Sequence, residues 1–142
     1  MGPETITGLP TSGRLRPATS ADTQFFWDGA REHRLLIQRC GACGTLRHPP
    51  GPACPSCRSL EWDTVEASGL GTLHSYIVHH HPPIPGFDKP VLVGLADLDE
   101  GTRLVANIDA ELDDIRIGQR LSVFFLDQSE GWSVPQFRIE QG

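Results

Sequence analysis

All four cysteines of the chain fall in two Cys-x-x-Cys pairs, Cys40/Cys43 and Cys54/Cys57, with ten residues between the pairs. A two-residue spacer lets both sulfurs of one knuckle reach a single ion, and two knuckles give tetrahedral four-sulfur coordination. Gly41 and Gly44 sit beside the first pair, where the backbone must turn sharply. Disulfides are an alternative use of four cysteines, but a reducing compartment disfavours them. Iron in a rubredoxin-like centre is another, because the same geometry suits both metals. The spacing predicts a structural zinc site, since four protein sulfurs leave no open position for substrate. It also leaves no thiol for nucleophilic catalysis.

The N-terminus Met1-Gly2-Pro3-Glu4-Thr5 lacks the basic start and apolar stretch of a signal peptide, and no apolar run is long enough to span a bilayer. A cytoplasmic location is expected. Charge divides unevenly. Residues 1–60 carry seven arginines against four carboxylates, +3, whereas residues 61–142 carry five basic residues against fourteen acidic ones, −9. An acidic second half argues against non-specific nucleic-acid binding, which depends on phosphate contacts.

Residues 1–18 are rich in Gly, Pro, Thr and Ser and read as a flexible N-terminal arm. Residues 19–64 read as a short aromatic helix followed by the four-cysteine ribbon. Thr19 and Asp22 have capping-box spacing, and the helix is expected to run to about Arg31. Phe25, Phe26 and Trp27 fall within one turn of it. Three consecutive aromatics cannot all face one small core, so at least one is expected to point outward. The helix either packs on its own ribbon and barrel or offers Phe25, Phe26 and Trp27 as a partner-binding face. Arg34 to Arg39 reads as a strand into the first knuckle and Leu46 to His48 as its return, with Pro49-Pro50-Gly51-Pro52 a stiff link to the second pair.

Residues 65–142 change to short apolar β runs punctuated by turn residues. Strands are expected over 71–81, 91–98, 103–108, 121–126 and 132–139, with Glu100-Gly101 a tight hairpin turn. Five short strands without a long helix suit a small closed barrel of the oligonucleotide/oligosaccharide-binding (OB) type. The fold class is therefore mainly β. His79-His80-His81 invites an acid/base reading, but no carboxylate is identifiable as its orienting partner, and a polar strand end is the better one. No phosphate loop, G-x-S-x-G or H-E-x-x-H occurs.

Taken in order, Phe25-Phe26-Trp27-Asp28-Gly29, Leu35-Leu36-Ile37-Gln38-Arg39-Cys40, Cys43-Gly44, Cys54-Pro55-x-Cys57, Gly69-x-Gly71-Thr72-Leu73-x-Ser75-Tyr76 and Val93-x-Leu95-x-Asp97-Leu98-Asp99-x-Gly101 are distinctive. Over about residues 20–140 the chain resembles the zinc-ribbon/OB-fold family known as domain of unknown function thirty-five. The resemblance implies a non-catalytic accessory subunit that docks on and stabilises a thiolase-like partner acting on acyl-CoA thioesters. Such partners form C–C bonds or cleave them by retro-aldol chemistry, and include thiolase-fold aldolases that shorten steroid side chains. It implies a hetero-oligomer in which the partner supplies the catalytic residues and this chain helps hold CoA. Some relatives are fused behind a hydratase-like domain; the separate start here leads us to expect a free-standing subunit. Lys89 and Arg103 are candidate CoA contacts, because a phosphate-rich ligand needs cations. The rival reading is a nucleic-acid-binding OB module that would stack bases on Tyr76, Phe87, Phe124 and Trp132. An iron-containing electron carrier is a third.

Overall fold

The computed structural model describes residues 9–87 and 90–140. One helix, α1 (Gln24–Arg31), precedes a ribbon sheet of β1 (Leu36–Cys40), β2 (Leu46–Arg47) and β3 (Trp62–Glu66) in the order β2-β1-β3. Five further strands form a closed barrel: β4 (Leu70–His79), β5 (Val91–Leu98), β6 (Arg103–Asp109), β7 (Arg120–Asp127) and β8 (Ser133–Ile139). Their order, β4-β5-β6-β8-β7, is the expected five-stranded OB barrel. Strands β6 and β8 run parallel and pair over only two positions, Ile108↔Phe137 and Asp109↔Arg138. Closure at that seam is brief.

Alternation produces the barrel. Along β5, Leu92, Gly94, Ala96 and Leu98 are buried while Val93, Leu95 and Asp97 face outward and are only partly covered. The inward residues meet Leu73, Ile108, Leu121 and Phe137, each almost wholly inaccessible to solvent. That core extends without a break into Phe26, Leu35 and Ile37. Helix, ribbon and barrel thus share one apolar interior. A small ribbon has too little buried area to be stable alone, and this continuity supplements it.

The sequence missed β3. Its alternation Trp62-Asp63-Thr64-Val65-Glu66 is short and polar, yet it pairs with all five residues of β1 and completes the ribbon. The first barrel strand stops at His79, which pairs with Val91, instead of running to residue 81. Pro82 and Pro83 follow and have no amide hydrogen for a ladder.

The helix also starts later than expected. Its entry turn joins Ser20 to Thr23: the Ser20 carbonyl accepts from the Thr23 and Gln24 amides, and the Ser20 amide donates to Thr23 Oγ1 at 3.0 Å. Thr19 and Asp22 do not form the box. At the other end His33 takes a left-handed conformation (φ 60°) that usually selects glycine, and its amide and that of Arg34 close on Ala30 and Gly29. The His33 ring lies parallel to Phe125, centroids 5.4 Å apart, and its Nε2 is 2.8 Å from Asp127 Oδ1. Strain at the helix exit is offset by contacts that tie it to the barrel.

The second half of the expected arm is held down. Thr11 O accepts from the Ser129 amide and Pro10 O from Gln128 Nε2, while Arg14 enters the β6/β8 seam. One buried amide side chain, that of Gln128, and one backbone amide, that of Ser129, use the arm's carbonyls.

Gly71 lies where β4 and β5 approach closely. A methyl on it would lie 2.6 Å from the Asp97 carbonyl oxygen, which is backbone and cannot swing away. Gly71→Ala is expected to lower unfolding stability in urea by about 1–3 kcal/mol. Phe26→Ala, which empties the junction of helix, ribbon and barrel, is expected to cost about 3–5 kcal/mol.

Candidate metal centre and its surroundings

Two matching turns build the centre. Cys40 ends β1; its amide donates to Thr45 O and its carbonyl accepts from Gly44 N at 3.0 Å. In the second turn the Cys54 amide donates to Ser59 O and its carbonyl accepts from Arg58 N at 2.8 Å. Gly44 (φ 79°) and Arg58 (φ 69°) occupy equivalent left-handed positions. The first knuckle therefore carries its turn glycine, and the second closes with an arginine.

The four sulfurs converge. All lie within 4.8 Å of one another, with Cys40 and Cys57 Sγ 3.5 Å apart and Cys43 and Cys54 Sγ 3.7 Å apart. Cys40 and Cys54 are buried, and Cys43 and Cys57 face solvent. Backbone amides point at the inner sulfurs: Ala42 and Cys43 donate to Cys40 Sγ, and Ser56 to Cys54 Sγ at 3.3 Å. Amides of Cys43 and Ala42 draw the Cys40 thiol down to about 6, and the Cys57 and Ser56 amides lower Cys54. At Cys57 the Ser59 amide also pulls downward. The sulfur of Cys40, burial, and the sulfurs of Cys43 and Cys54 outweigh it, and that thiol is pushed up to about 12. Four thiolates cannot share this space without a cation among them. A divalent metal removes the repulsion and is what the donor set fits.

The three helix aromatics pack on the ribbon and barrel of this chain, the first of the two readings the sequence leaves open. Phe25 packs on Trp62 of the ribbon at 5.0 Å between centroids. Phe26 is buried between Trp27 and the ring of His48. Trp27 meets Trp132 of the barrel edge-on at 6.5 Å. None of the three is exposed. The expectation of an outward aromatic assumed one small core, whereas the helix lies between two modules and has two faces to cover.

The remaining candidates are dispersed. Arg103 is exposed and paired to Asp97 Oδ1 at 2.7 Å, with His74 Nδ1 on the other oxygen. Lys89 lies outside the described residues. His79 Nε2 contacts Pro82 O at 2.8 Å, and no described carboxylate meets that histidine run. Of the stacking candidates, Trp132 is buried, Phe87 is covered by Arg14 and Phe124 by Arg138 at 4.2 Å. Tyr76 is exposed, and these four do not form an open platform. Among the described residues no helix is long and apolar enough to cross a membrane.

Two family descriptions match consecutive segments of the chain. Residues 27–63 match the rubredoxin-like zinc ribbon domain of ChsH2, and residues 64–126 match its C-terminal OB-fold domain. A DUF35 domain-containing scaffold protein of Methanocaldococcus jannaschii is 34% identical over 104 residues, covering 70% of this chain and 73% of that protein. The chain belongs to the DUF35 zinc-ribbon/OB-fold family. Membership makes the four-cysteine site a zinc ribbon. A probable enoyl-CoA hydratase alpha subunit of Thermomonospora curvata is 50% identical over 130 residues, 91% of this chain and 41% of that protein. The chain thus spans about two fifths of that relative's length. Among solved structures, a chain of the Ltp2-ChsH2(DUF35) aldolase superimposes with a TM-score of 0.83 at 50% identity. That match covers 87% of this chain and 98% of the other.

Two outcomes test the centre. The purified DUF35 chain should be colourless and release one zinc per chain when its thiols are blocked, and Cys54→Ser should neither bind the metal nor keep the ribbon folded. Metal affinity should fall steeply on acidification, because protons compete for each sulfur. Outside the centre, hydrogen bonds to Arg103 and Arg120 hold Asp97 and Asp99 below the usual carboxylate range. A depressed folded-state value means that their contribution is present above about pH 4 and lost as pH falls further, so urea midpoints should decline in that direction.

Proposed function

We propose that this chain is a non-catalytic zinc-binding subunit that docks on a thiolase-like partner acting on acyl-CoA thioesters. The partner performs the C–C bond chemistry, and this chain stabilises it in a cytoplasmic hetero-oligomer. The observation that carries the reading is the match to one chain of an aldolase assembly over nearly its whole length. A DUF35 relative described as a scaffold protein supports the same role. The chemistry of the site agrees with it, since all four thiols of the chain gather at one closed centre.

The outer face of the barrel offers a surface for docking. Ile77 on β4 and Val105 on β6 are 62% and 63% exposed, and the half-covered Val93 and Leu95 of β5 lie between them. The register places Ile77 opposite Val93, and Val105 opposite Leu95, which makes one apolar strip across three strands. Monomeric proteins seldom leave such continuous strips in water. Phe25, Phe26 and Trp27 would act behind this surface, fixing the ribbon relative to the barrel. Lys89 remains a candidate CoA contact; Arg103 would first have to leave Asp97.

Co-expression with a thiolase-fold aldolase should yield a stable complex on size-exclusion chromatography. Val105→Glu and Ile77→Glu should each weaken that complex while leaving zinc content and melting temperature unchanged. A chain that stays monomeric beside such partners, or that cleaves an acyl-CoA alone, contradicts the proposal.

A further inference from the structure

Arg14 is a half-buried cation in the β6/β8 seam. Its guanidinium donates from Nη1 to Gln136 Oε1 at 2.9 Å and from Nη2 to Asn107 Oδ1 at 2.8 Å. Both amides are buried. The ring of Phe87 lies against the guanidinium, 4.9 Å from Cζ to its centroid. No carboxylate pairs with Arg14 among the described residues. Arg34, Arg39, Arg103 and Arg120, by contrast, each hold one within 3.0 Å. Burial keeps Arg14 below the usual arginine range. A guanidinium has five N–H groups, and two are committed here. Among the described residues this half-buried positive charge is held by neutral amides alone.

A cavity of about 430 Å³ adjoins that charge. Phe26 and Trp27 of α1, Leu104 and Ala106 of β6, and Val134 and Pro135 of β8 form its apolar walls. It occupies the part of the seam where β6 and β8 do not pair. His48 lines the same cavity, and its buried Nδ1 has no hydrogen-bond partner. Burial lowers its pKa, so the ring is neutral and can donate or accept. An apolar chamber with a few convergent polar groups is the usual form of a small-molecule site.

We infer that the cavity between α1 and the β6/β8 seam binds an apolar monocarboxylate, with the carboxylate on Arg14 and the apolar body against Phe26, Trp27 and Leu104. His48 Nδ1 remains available to a hydroxyl or carbonyl on that body. Val93 and Val105 of the proposed docking strip also line this cavity, but the site lies within this chain and is tested without a partner.

The zinc-loaded full chain is titrated with decanoate and with decan-1-ol, following the Trp27 indole resonance. Wild type is expected to bind both saturably and decanoate more tightly. Arg14→Met should weaken decanoate about tenfold and leave the alcohol unchanged. Because Arg14 also anchors the strap, Asn107→Asp provides a second arm. It supplies the guanidinium with an internal carboxylate and should remove the preference for decanoate while keeping the cation. Equal binding of acid and alcohol by wild type overturns the inference. So does undiminished decanoate binding by Asn107→Asp, or a Trp27 signal that moves only when a partner protein is added.

Discussion

Mutual repulsion among four sulfurs, relieved by one divalent ion, is the constraint on which the rest of this structure depends. Cys40 and Cys54 are made acidic by amides aimed at them, whereas Cys57 resists ionisation because its neighbours already carry charge. A metal turns that conflict into the strongest cross-link available to a sheet of three short strands. Once the two turns are clamped, β1 is straight enough to pair with β3 along its whole length. The ribbon then presents Leu35 and Ile37 to the barrel core.

The helix translates this local rigidity into a fixed relation between modules. Phe25 grips the ribbon through Trp62, Trp27 grips the barrel through Trp132, and Phe26 fills the space between. Aromatic pairs at these separations add directional preference to the area they bury. Such an arrangement suits a scaffold, whose task is to hold one surface in a defined place relative to another. The apolar strip of Ile77, Val93, Leu95 and Val105 lies on the outer face of the barrel, apart from the shared core.

Polar groups in the seam follow a different logic. Gln136 and Asn107 are buried where β6 and β8 have too short a ladder to satisfy one another, and Arg14 supplies donors from a segment distant in sequence. Gln38 behaves likewise in the ribbon, accepting from the Gly51 amide at 2.9 Å and fixing the proline link. Buried amides that find charged or backbone partners specify a geometry and leave little freedom to slip.

Much of this was written in the chain order. Spacing identifies Cys40, Cys43, Cys54 and Cys57, because ligand geometry is local. Alternation marks the five barrel strands, because a sheet with one wet face imposes a period of two on neighbouring residues. Other features depended on what lies across space. The chain order left open whether Phe25, Phe26 and Trp27 pack on ribbon and barrel or face a partner, and the two modules flanking the helix decided which rings they meet. The pairing of Trp62–Glu66 depended on β1, and the anchoring of Arg14 on two amides roughly a hundred residues away. A sequence records the chemistry a residue can offer to its neighbours along the chain; which distant groups it meets is fixed only when the barrel closes and the ribbon packs on it.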